Sequence, residues 1–206
     1  MVDPVRFYEH RLRRYGNSPR TLGLSPESQR RRFQVLAEVG DLQRSEVLDV
    51  GCGLGHLYDF FDERSLRLSY RGADLSPKLI ARARRLHPGV DFEVLDALGG
   101  SMLWEADFVL SSGVLNLETG SAGAAMSRLL RSAFAACRRA TAVNMLSTWA
   151  DWRDPGRHYF DPSRALRVAR RLTPRVVMRH DYLPHDFTLY LYKERDQTER
   201  SRRSYR

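Results

Sequence analysis

The sequence predicts an α/β fold: a doubly wound, mainly parallel seven-stranded sheet with an antiparallel last strand and lid helices at the N-terminus. Three observations support this prediction. β-favouring and helical segments alternate from residue 46 onward, a glycine-rich turn follows the first strand, and two strands close the chain around a short Leu-Pro-His connection. With 206 residues, the chain can form a single domain with a full core. We divide this domain into a helical lid (1–45), a core (46–193) and a basic tail (194–206).

The N-terminal segment predicts two helices, at residues 4–15 and 26–39. Ser25 has the residue type of an N-cap, Pro26 occupies the first helical position and Glu27 lies in the first turn. A turn-rich linker separates the two helices. We interpret this segment as a lid.

Strands and helices alternate through the core. The strands are predicted at 46–50, 69–74, 90–95, 106–111, 140–147, 174–182 and 187–193. The helices are predicted at 54–63, 77–86, about 121–138 and 162–171. Ligands of doubly wound sheets lie at the carboxyl ends of the strands, where the strand order reverses. The turn after the first strand is therefore the expected ligand site.

The basic composition does not by itself indicate nucleic acid. The net charge is +9, but Lys78 and Lys193 are the only lysines, and every other residue of the 34 Lys and Arg is an arginine. That preference looks like codon bias from a GC-rich, bacterial genome, with many arginines in pairs on solvated helix faces. Nucleic acid is therefore not expected as the natural partner.

The two cysteines and the hydropathy pattern indicate the compartment. Cys52 lies in the glycine turn and Cys137 in a predicted helix, so a disulfide framework is not expected and a reducing cytoplasm fits. No apolar run approaches the roughly 20 residues that cross a bilayer. The start of the chain carries charges where a signal peptide needs an apolar stretch. We expect a cytoplasmic protein without membrane contact.

The pattern of the glycine turn argues against a phosphate-binding site. Gly51, Gly53 and Gly55 form G-x-G-x-G, and His56 occupies the place of the third glycine of a dinucleotide fingerprint. A P-loop is excluded as well, because no Lys-Ser/Thr pair follows. Asp49 lies inside the strand just before the turn, where a carboxylate would repel a pyrophosphate and suit a cationic or amino-bearing ligand.

The string DVGCGLG from Asp49 to Gly55 resembles motif I of the class I S-adenosylmethionine-dependent methyltransferases, D-x-G-x-G-x-G. The resemblance continues motif by motif over roughly residues 40–147. It implies S-adenosylmethionine as cofactor, with Asp74 on the ribose hydroxyls and Asp96 near the adenine amino group. The acceptor pair of a carboxylate suits a vicinal diol.

The resemblance also implies a wider set of cofactor contacts. Tyr15 belongs to the lid, Arg20 could pair with the donor's carboxylate, and Ser111 begins the loop that faces the methyl group. The cofactor-binding residues that we predict are Tyr15, Arg20, Asp49, Gly51, Cys52, Gly53, Gly55, Asp74, Leu75, Asp96, Ala97 and Ser111.

The methyl acceptor is harder to predict from the sequence, because methyl transfer has no universal catalytic motif. The N/D-P-P-Y motif of nucleobase amino-methylation is absent after the fourth strand, and the histidines lack metal-ligand spacing, so no metal is expected. The insertion at 147–162 is rich in aromatic and charged residues and is predicted to wall a pocket for a small polar substrate. By residue type, His158 and Tyr159 are the candidate catalytic base or orienter.

The resulting hypothesis is a methyltransferase that modifies O or N of a small metabolite, with a homodimer as one possible assembly. Three alternatives stay open at this point. They are an RNA methyltransferase, a same-fold enzyme that uses the donor for other chemistry such as cyclisation, and a non-catalytic donor-binding partner subunit.

Overall fold

A computed structural model describes residues 2–99, 104–119 and 122–194. Two sequence predictions therefore fall partly outside the described residues. These are the basic tail, of which only Glu194 is described, and the first residue of the helix predicted at about 121–138. No helix in the described part of the chain is both long enough and apolar enough to span a membrane.

The structure contains one seven-stranded sheet in the order β3-β2-β1-β4-β5-β7-β6. The strands are β1 (Glu46–Val50), β2 (Ser69–Asp74), β3 (Asp91–Val94), β4 (Ala106–Ser112), β5 (Cys137–Leu146), β6 (Val176–Arg179) and β7 (Asp186–Tyr192). β1 pairs in parallel with both β2 and β4, so the strand order reverses at β1. β7 pairs antiparallel with β5 and β6, which confirms the predicted antiparallel last strand.

Six α-helices within the described ranges flank the sheet. They are α1 (Pro4–Tyr15), α2 (Pro26–Ala37), α3 (His56–Asp62), α4 (Pro77–Leu86), α5 (Ala122–Ala136) and α6 (Pro162–Arg170), with a short 3-10 helix at Pro19–Leu22. The predicted N-cap at Ser25 forms, and Ser76 and Asp161 form two more: each accepts hydrogen bonds from backbone N–H groups in the first turn of the helix that follows. A proline follows each cap, where its missing N–H costs no helix bond.

The two faces of the sheet are covered by different helices. Leu36 of α2, Phe61 of α3 and Ile80 of α4 belong to one buried cluster, whereas Leu129 of α5 and Ala165 of α6 belong to the other. α2 therefore lies within the packed core. Of the segment 1–45 that we interpreted as a lid, α1 and the 3-10 helix lie outside that layer.

The boundary between α5 and β5 differs from the prediction. Cys137 is the first residue of β5 and is buried, whereas the sequence pattern placed it inside a helix. It pairs with Ala106 across a register irregularity in β4, so tertiary pairing outweighs the helical preference of the preceding alanines. Cys52 and Cys137 are both free.

Candidate active site

The turn after β1 takes backbone conformations that only glycine adopts readily. Gly51, Gly53 and Gly55 have φ of 78°, 58° and 83°. A Cβ on Gly53 would lie 2.8 Å from the side chain of Leu22, which belongs to the 3-10 helix. The turn thus brings bare backbone directly beneath the N-terminal segment.

Asp74 ends β2 and is held by the backbone of two turns. Its Oδ1 accepts from the Ser76 N–H at 2.9 Å, and its Oδ2 accepts from the Gly53 N–H at 3.0 Å. Burial raises the pKa of this carboxyl, and the backbone donors oppose that rise. Each oxygen keeps a lone pair, so the carboxylate can accept two further hydrogen bonds from a diol.

Asp49 lies in β1 just before the glycine turn and is 3% exposed. The Tyr70 hydroxyl donates to its Oδ2 at 2.6 Å. Burial raises the pKa of Asp49 to about 7, and the Tyr70 bond opposes that rise. A positive charge on a ligand beside Asp49 would favour its ionised form.

Asp96 follows β3 and is exposed. Its Oδ1 accepts from the N–H groups of Leu98 and Gly99 at 3.0 and 2.9 Å. The carboxylate therefore stabilises its own loop. Asp96 also lines the cavity that lies between the sheet and the N-terminal segment.

A cavity lies between the carboxyl edge of the sheet and the N-terminal segment. α1 contributes Pro4, Val5 and Tyr8 to its wall, and Leu22 and Leu24 follow. Burial raises the pKa of the Tyr8 hydroxyl, and the neighbouring charge of Arg157 opposes that rise.

One ion pair fastens α1 over this cavity. Glu9 Oε2 accepts from Lys78 Nζ at 2.6 Å, and its Oε1 accepts from Ser76 Oγ at 3.3 Å. Since Ser76 and Lys78 begin α4, α1 is tied to the element that follows Asp74.

Seven of the predicted cofactor residues line this cavity: Asp49, Gly51, Cys52, Asp74, Leu75, Asp96 and Ala97. Gly53 supports the wall through its bond to Asp74, and Gly55 caps α3. Ser111 is buried beneath the wall, where its Oγ has no partner among the described residues, and its neighbour Ser112 lines the cavity instead.

Tyr15 and Arg20 lie away from the cavity wall. The Tyr15 ring packs against the guanidinium groups of Arg11 and Arg14 at the end of α1. Arg20 is exposed, and its carbonyl accepts a hydrogen bond from Arg11. Because α1 crosses the cavity by its first two turns, the tyrosine of α1 that reaches the wall is Tyr8.

The insertion at 147–162 packs behind the wall. The Arg157 guanidinium donates to the Gly23 carbonyl at 3.4 Å, and the His158 N–H donates to the Asn116 carbonyl at 3.1 Å.

The structure does not bring the two predicted catalytic side chains to the cavity. The His158 ring packs edge-on against Phe160, with centroids 4.6 Å apart, and desolvation lowers the pKa of His158. The Tyr159 hydroxyl accepts from the Asp154 N–H at 2.8 Å, so it serves the insertion itself. The two tryptophans of the insertion, Trp149 and Trp152, are 55% and 68% exposed.

Sequence reasoning missed several polar residues of the cavity wall, among them Tyr8, Arg32, Ser112 and Asn116. One signal could have found Arg32. Gln29, Phe33 and Leu36 share one face of α2 with it at helical spacing, and all four are buried. An arginine on the apolar face of a helix is rarely buried without a charged partner.

The strand order, the glycine turn and the acid at the end of β2 together define a class I methyltransferase architecture. A profile of the methyltransferase-domain family matches residues 47–139. The Mycobacterium tuberculosis protein named "Putative methyltransferase Rv1506c" is 31% identical over 156 residues, which cover 71% of this chain and 92% of that protein. This chain belongs to the S-adenosylmethionine-dependent methyltransferase family, and S-adenosylmethionine is its cofactor.

One further relative and one solved structure extend this comparison. The trans-aconitate 2-methyltransferase of Methylobacterium nodulans is 32% identical over 94 residues, 46% of this chain and 36% of that protein. The magnesium protoporphyrin IX methyltransferase of Synechocystis PCC 6803, solved with bound S-adenosylhomocysteine, superposes with a TM-score of 0.62 at 17% identity, covering 90% of this chain and 94% of the other. The second likeness shows the fold.

Proposed function

We propose that this enzyme transfers the methyl group of S-adenosylmethionine to an oxygen or nitrogen of a small metabolite in the cytoplasm. The observation that carries the proposal is the cavity itself, because it joins the acids of β1 and β2 to unpartnered polar atoms beyond β4 under one helical cover. The two free, buried cysteines are compatible with a reducing compartment.

The residues of the first half of the cavity fit the donor. Asp74 would accept the ribose hydroxyls with its remaining lone pairs, and the loop from Asp96 to Leu98 would hold the adenine. Asp49 would face the amino group at the other end of the molecule. When bound, the donor supplies a sulfonium-activated methyl group.

The chain's own task is then alignment and exclusion of water. A displacement at carbon proceeds when nucleophile and methyl are held in line, and a closed site prevents hydrolysis. α1 supplies the cover, since Tyr8 lies on the cavity wall and Glu9 fastens the helix to α4.

The polarity of the cavity wall beyond β4 favours a small polar acceptor. Ser112 and Asn116 line this part of the wall, and α1 covers the cavity. The relatives named trans-aconitate 2-methyltransferase, which align over about half of this chain, offer a precedent for a small acid as acceptor.

Two measurements test this function. Calorimetry should show S-adenosylhomocysteine binding in the micromolar range and no binding of NAD. Incubation with methyl-labelled donor and a metabolite pool should then place the label on a small molecule. Binding of NAD in place of S-adenosylhomocysteine would overturn the cofactor assignment.

The same labelled donor separates the alternatives. Product formed from the donor alone would indicate cyclisation or related chemistry. Label found in RNA, with RNA affinity that survives physiological salt, would indicate an RNA methyltransferase. A protein that binds the donor and labels nothing would be a non-catalytic subunit.

A further inference from the structure

Five buried side-chain atoms in the described part of the chain have no hydrogen-bond partner: Arg32 Nη1, Ser111 Oγ, Ser112 Oγ, Asn116 Oδ1 and Asn144 Oδ1. Three of them belong to residues that line the cavity, namely Arg32, Ser112 and Asn116. All five lie at or above the carboxyl ends of β4 and β5, and Ser112 pairs with Asn144 across those strands. A buried polar atom without a partner costs free energy, so such a cluster marks a place where a polar ligand can be accommodated.

Arg32 is the charged member of this cluster. Its side chain is 2% exposed, and it forms a two-point ion pair with the fully buried Asp186: Nε to Oδ2 at 2.8 Å and Nη2 to Oδ1 at 2.9 Å. This pair joins α2 to β7 and fixes the plane of the guanidinium. Nη1 is the guanidinium nitrogen that takes no part in this ion pair, and Arg32 lines the cavity.

Nη1 and the Asn116 amide converge on the same spot. A Cβ placed on Gly113 would lie 3.7 Å from Arg32 Nη1 and 2.9 Å from Asn116 Nδ2. Gly113 follows β4 and has φ of 76°. Two donor groups of buried side chains therefore flank one bare stretch of backbone inside the cavity.

We propose that Arg32 Nη1, together with Asn116, binds a carboxylate of the methyl acceptor, so that the acceptor is a small organic acid. This rests on the proposed function and gives its substrate a chemical class. A guanidinium that already engages one carboxylate edge-on still has donors for a second anion, and a charge-assisted bond in a dry site is stronger than a neutral one. Asn116 adds a neutral contact beside it.

The donor's amino-acid part also carries a carboxylate, but the geometry favours the acceptor. Asp49 on β1 is suited to the donor's amino group, and the carboxylate shares a carbon atom with that group. Arg32 is anchored on β7, and its Nη1 lies near Gly113 and Asn116, which follow β4. By the family resemblance, the loop after β4 faces the transferred methyl group, where the acceptor binds.

The experiment compares acids with their amides. Wild-type protein saturated with S-adenosylhomocysteine is titrated with benzoate against benzamide and with succinate against succinamide. We expect at least one acid to bind about tenfold or more tightly than its amide. In Arg32→Lys the ammonium still neutralises Asp186, but the variant lacks the further nitrogen donor that Nη1 provides. The affinities for each acid and its amide should then differ by less than about threefold.

A second variant tests whether misfolding explains a loss of acid binding. Arg32→Met with Asp186→Leu removes both charges together, which buried pairs tolerate far better than the loss of one partner. It too should lose the preference for the acid, with a melting transition that remains cooperative. Asn116→Asp, which places a negative charge beside Nη1, should abolish acid binding while Arg32 is intact.

Three outcomes would overturn the proposal. The first is a wild-type protein that prefers neither acid over its amide. The second is a preference that persists in Arg32→Lys. The third is a loss of S-adenosylhomocysteine affinity in Arg32→Lys with unchanged binding of 5′-methylthioadenosine, which lacks the amino-acid part; that result assigns Nη1 to the donor. If wild-type protein fails to bind S-adenosylhomocysteine at all, the proposed function fails instead.

Discussion

The two ends of the cavity differ in how their polar groups are satisfied. At the β1–β2 end, Asp74 and Asp49 each accept hydrogen bonds from the protein, at 2.6–3.0 Å. At the β4 end, Arg32, Ser112 and Asn116 each keep a buried atom without a partner among the described residues. The first end is preorganised by hydrogen bonds within the protein, and the second presents polar atoms without a protein partner in the described ranges.

The difference also concerns distance along the chain. Gly53 and Asp74 are 21 residues apart, within one strand–helix–strand unit. Arg32 and Asp186 are separated by 154 residues. A cofactor site built from one short unit can be recognised in the sequence as a compact motif. An acceptor pocket built from segments that are distant in the sequence has no such motif.

The largest effect should come from the turn that defines the first end. Gly53 has φ of 58°, and a Cβ there would approach Leu22 at 2.8 Å. Gly53→Val should therefore displace the turn and the N–H that holds Asp74, and weaken S-adenosylhomocysteine binding by about a hundredfold or more. Calorimetry measures this directly.

Gly89→Val is the matched control for that variant. Gly89 has φ of 88°, and a Cβ there would meet nothing within 4 Å. It carries the same kind of backbone strain at a position outside the cavity wall. Equal losses of affinity in the two variants would show that strain alone, and not the approach of the turn to the donor, explains the effect.

The next effect separates the two acids that the sequence assigns to adenosine. Asp74→Ala removes a half-buried acceptor of two hydrogen bonds and should weaken binding at least about tenfold, since bonds to a charged group are worth roughly 1.5–3 kcal/mol each. Asp96→Ala should cost less, because that carboxylate is exposed and bonds its own loop. A larger loss at Asp96 would move ribose recognition away from β2.

The sequence predicted the fold closely because local signals and tertiary structure agree here. Ser25, Ser76 and Asp161 each begin a helix where the cap-and-proline pattern placed one. The misplaced boundary at Cys137 has a local cause: an alanine-rich helix runs directly into β5 without a turn signal. β6 is shorter than predicted, at Val176–Arg179, because only these residues face a partner stretch on β7.

The site could be predicted only where backbone and motif coincide. Asp49 and Asp74 could be placed at strand ends from the sequence, whereas Tyr15 was predicted from its place in the lid alone, and the sequence does not fix how far a helix extends over a cavity. His158 and Tyr159 were chosen by residue type. Which loop side chains turn inward depends on contacts such as the bond from the Asp154 N–H to Tyr159, which no spacing reveals.

A smaller effect should appear in the pH dependence of donor binding. Burial raises the pKa of Asp49 to about 7, so its negative charge develops as the pH rises from about 6 to about 8. Affinity for the cationic donor should therefore increase over that range, by about fivefold at the effective dielectric of a protein site. Calorimetry at both pH values measures it, and Asp49→Asn should abolish the change. An equal increase in Asp49→Asn would assign it to another group.

The free protein should respond to pH in the opposite sense. Because the folded-state pKa of Asp49 exceeds its ordinary value of 3.8, the folded state binds the proton more tightly than the unfolded state does. The contribution of Asp49 to the free energy of unfolding therefore falls as the pH rises from about 4 to about 7, and it is constant above that. Denaturant titrations of wild type and Asp49→Asn should diverge over this range and run parallel above it.

The smallest effects should come from the insertion. If His158 or Tyr159 were the general base, its loss would reduce turnover by about 10²–10⁴-fold. The His158 ring packs on Phe160, and the Tyr159 hydroxyl accepts a bond from its own loop. We therefore expect His158→Ala and Tyr159→Phe to change turnover of labelled donor by less than about threefold, as for changes remote from the reacting atoms. S-adenosylhomocysteine affinity, measured alongside, should not change. A hundredfold loss of turnover at unchanged affinity would place the insertion in the catalytic site. The β4 end of the cavity would then contain a general base as well as a group that binds the acceptor, and the contrast between the two ends would no longer hold.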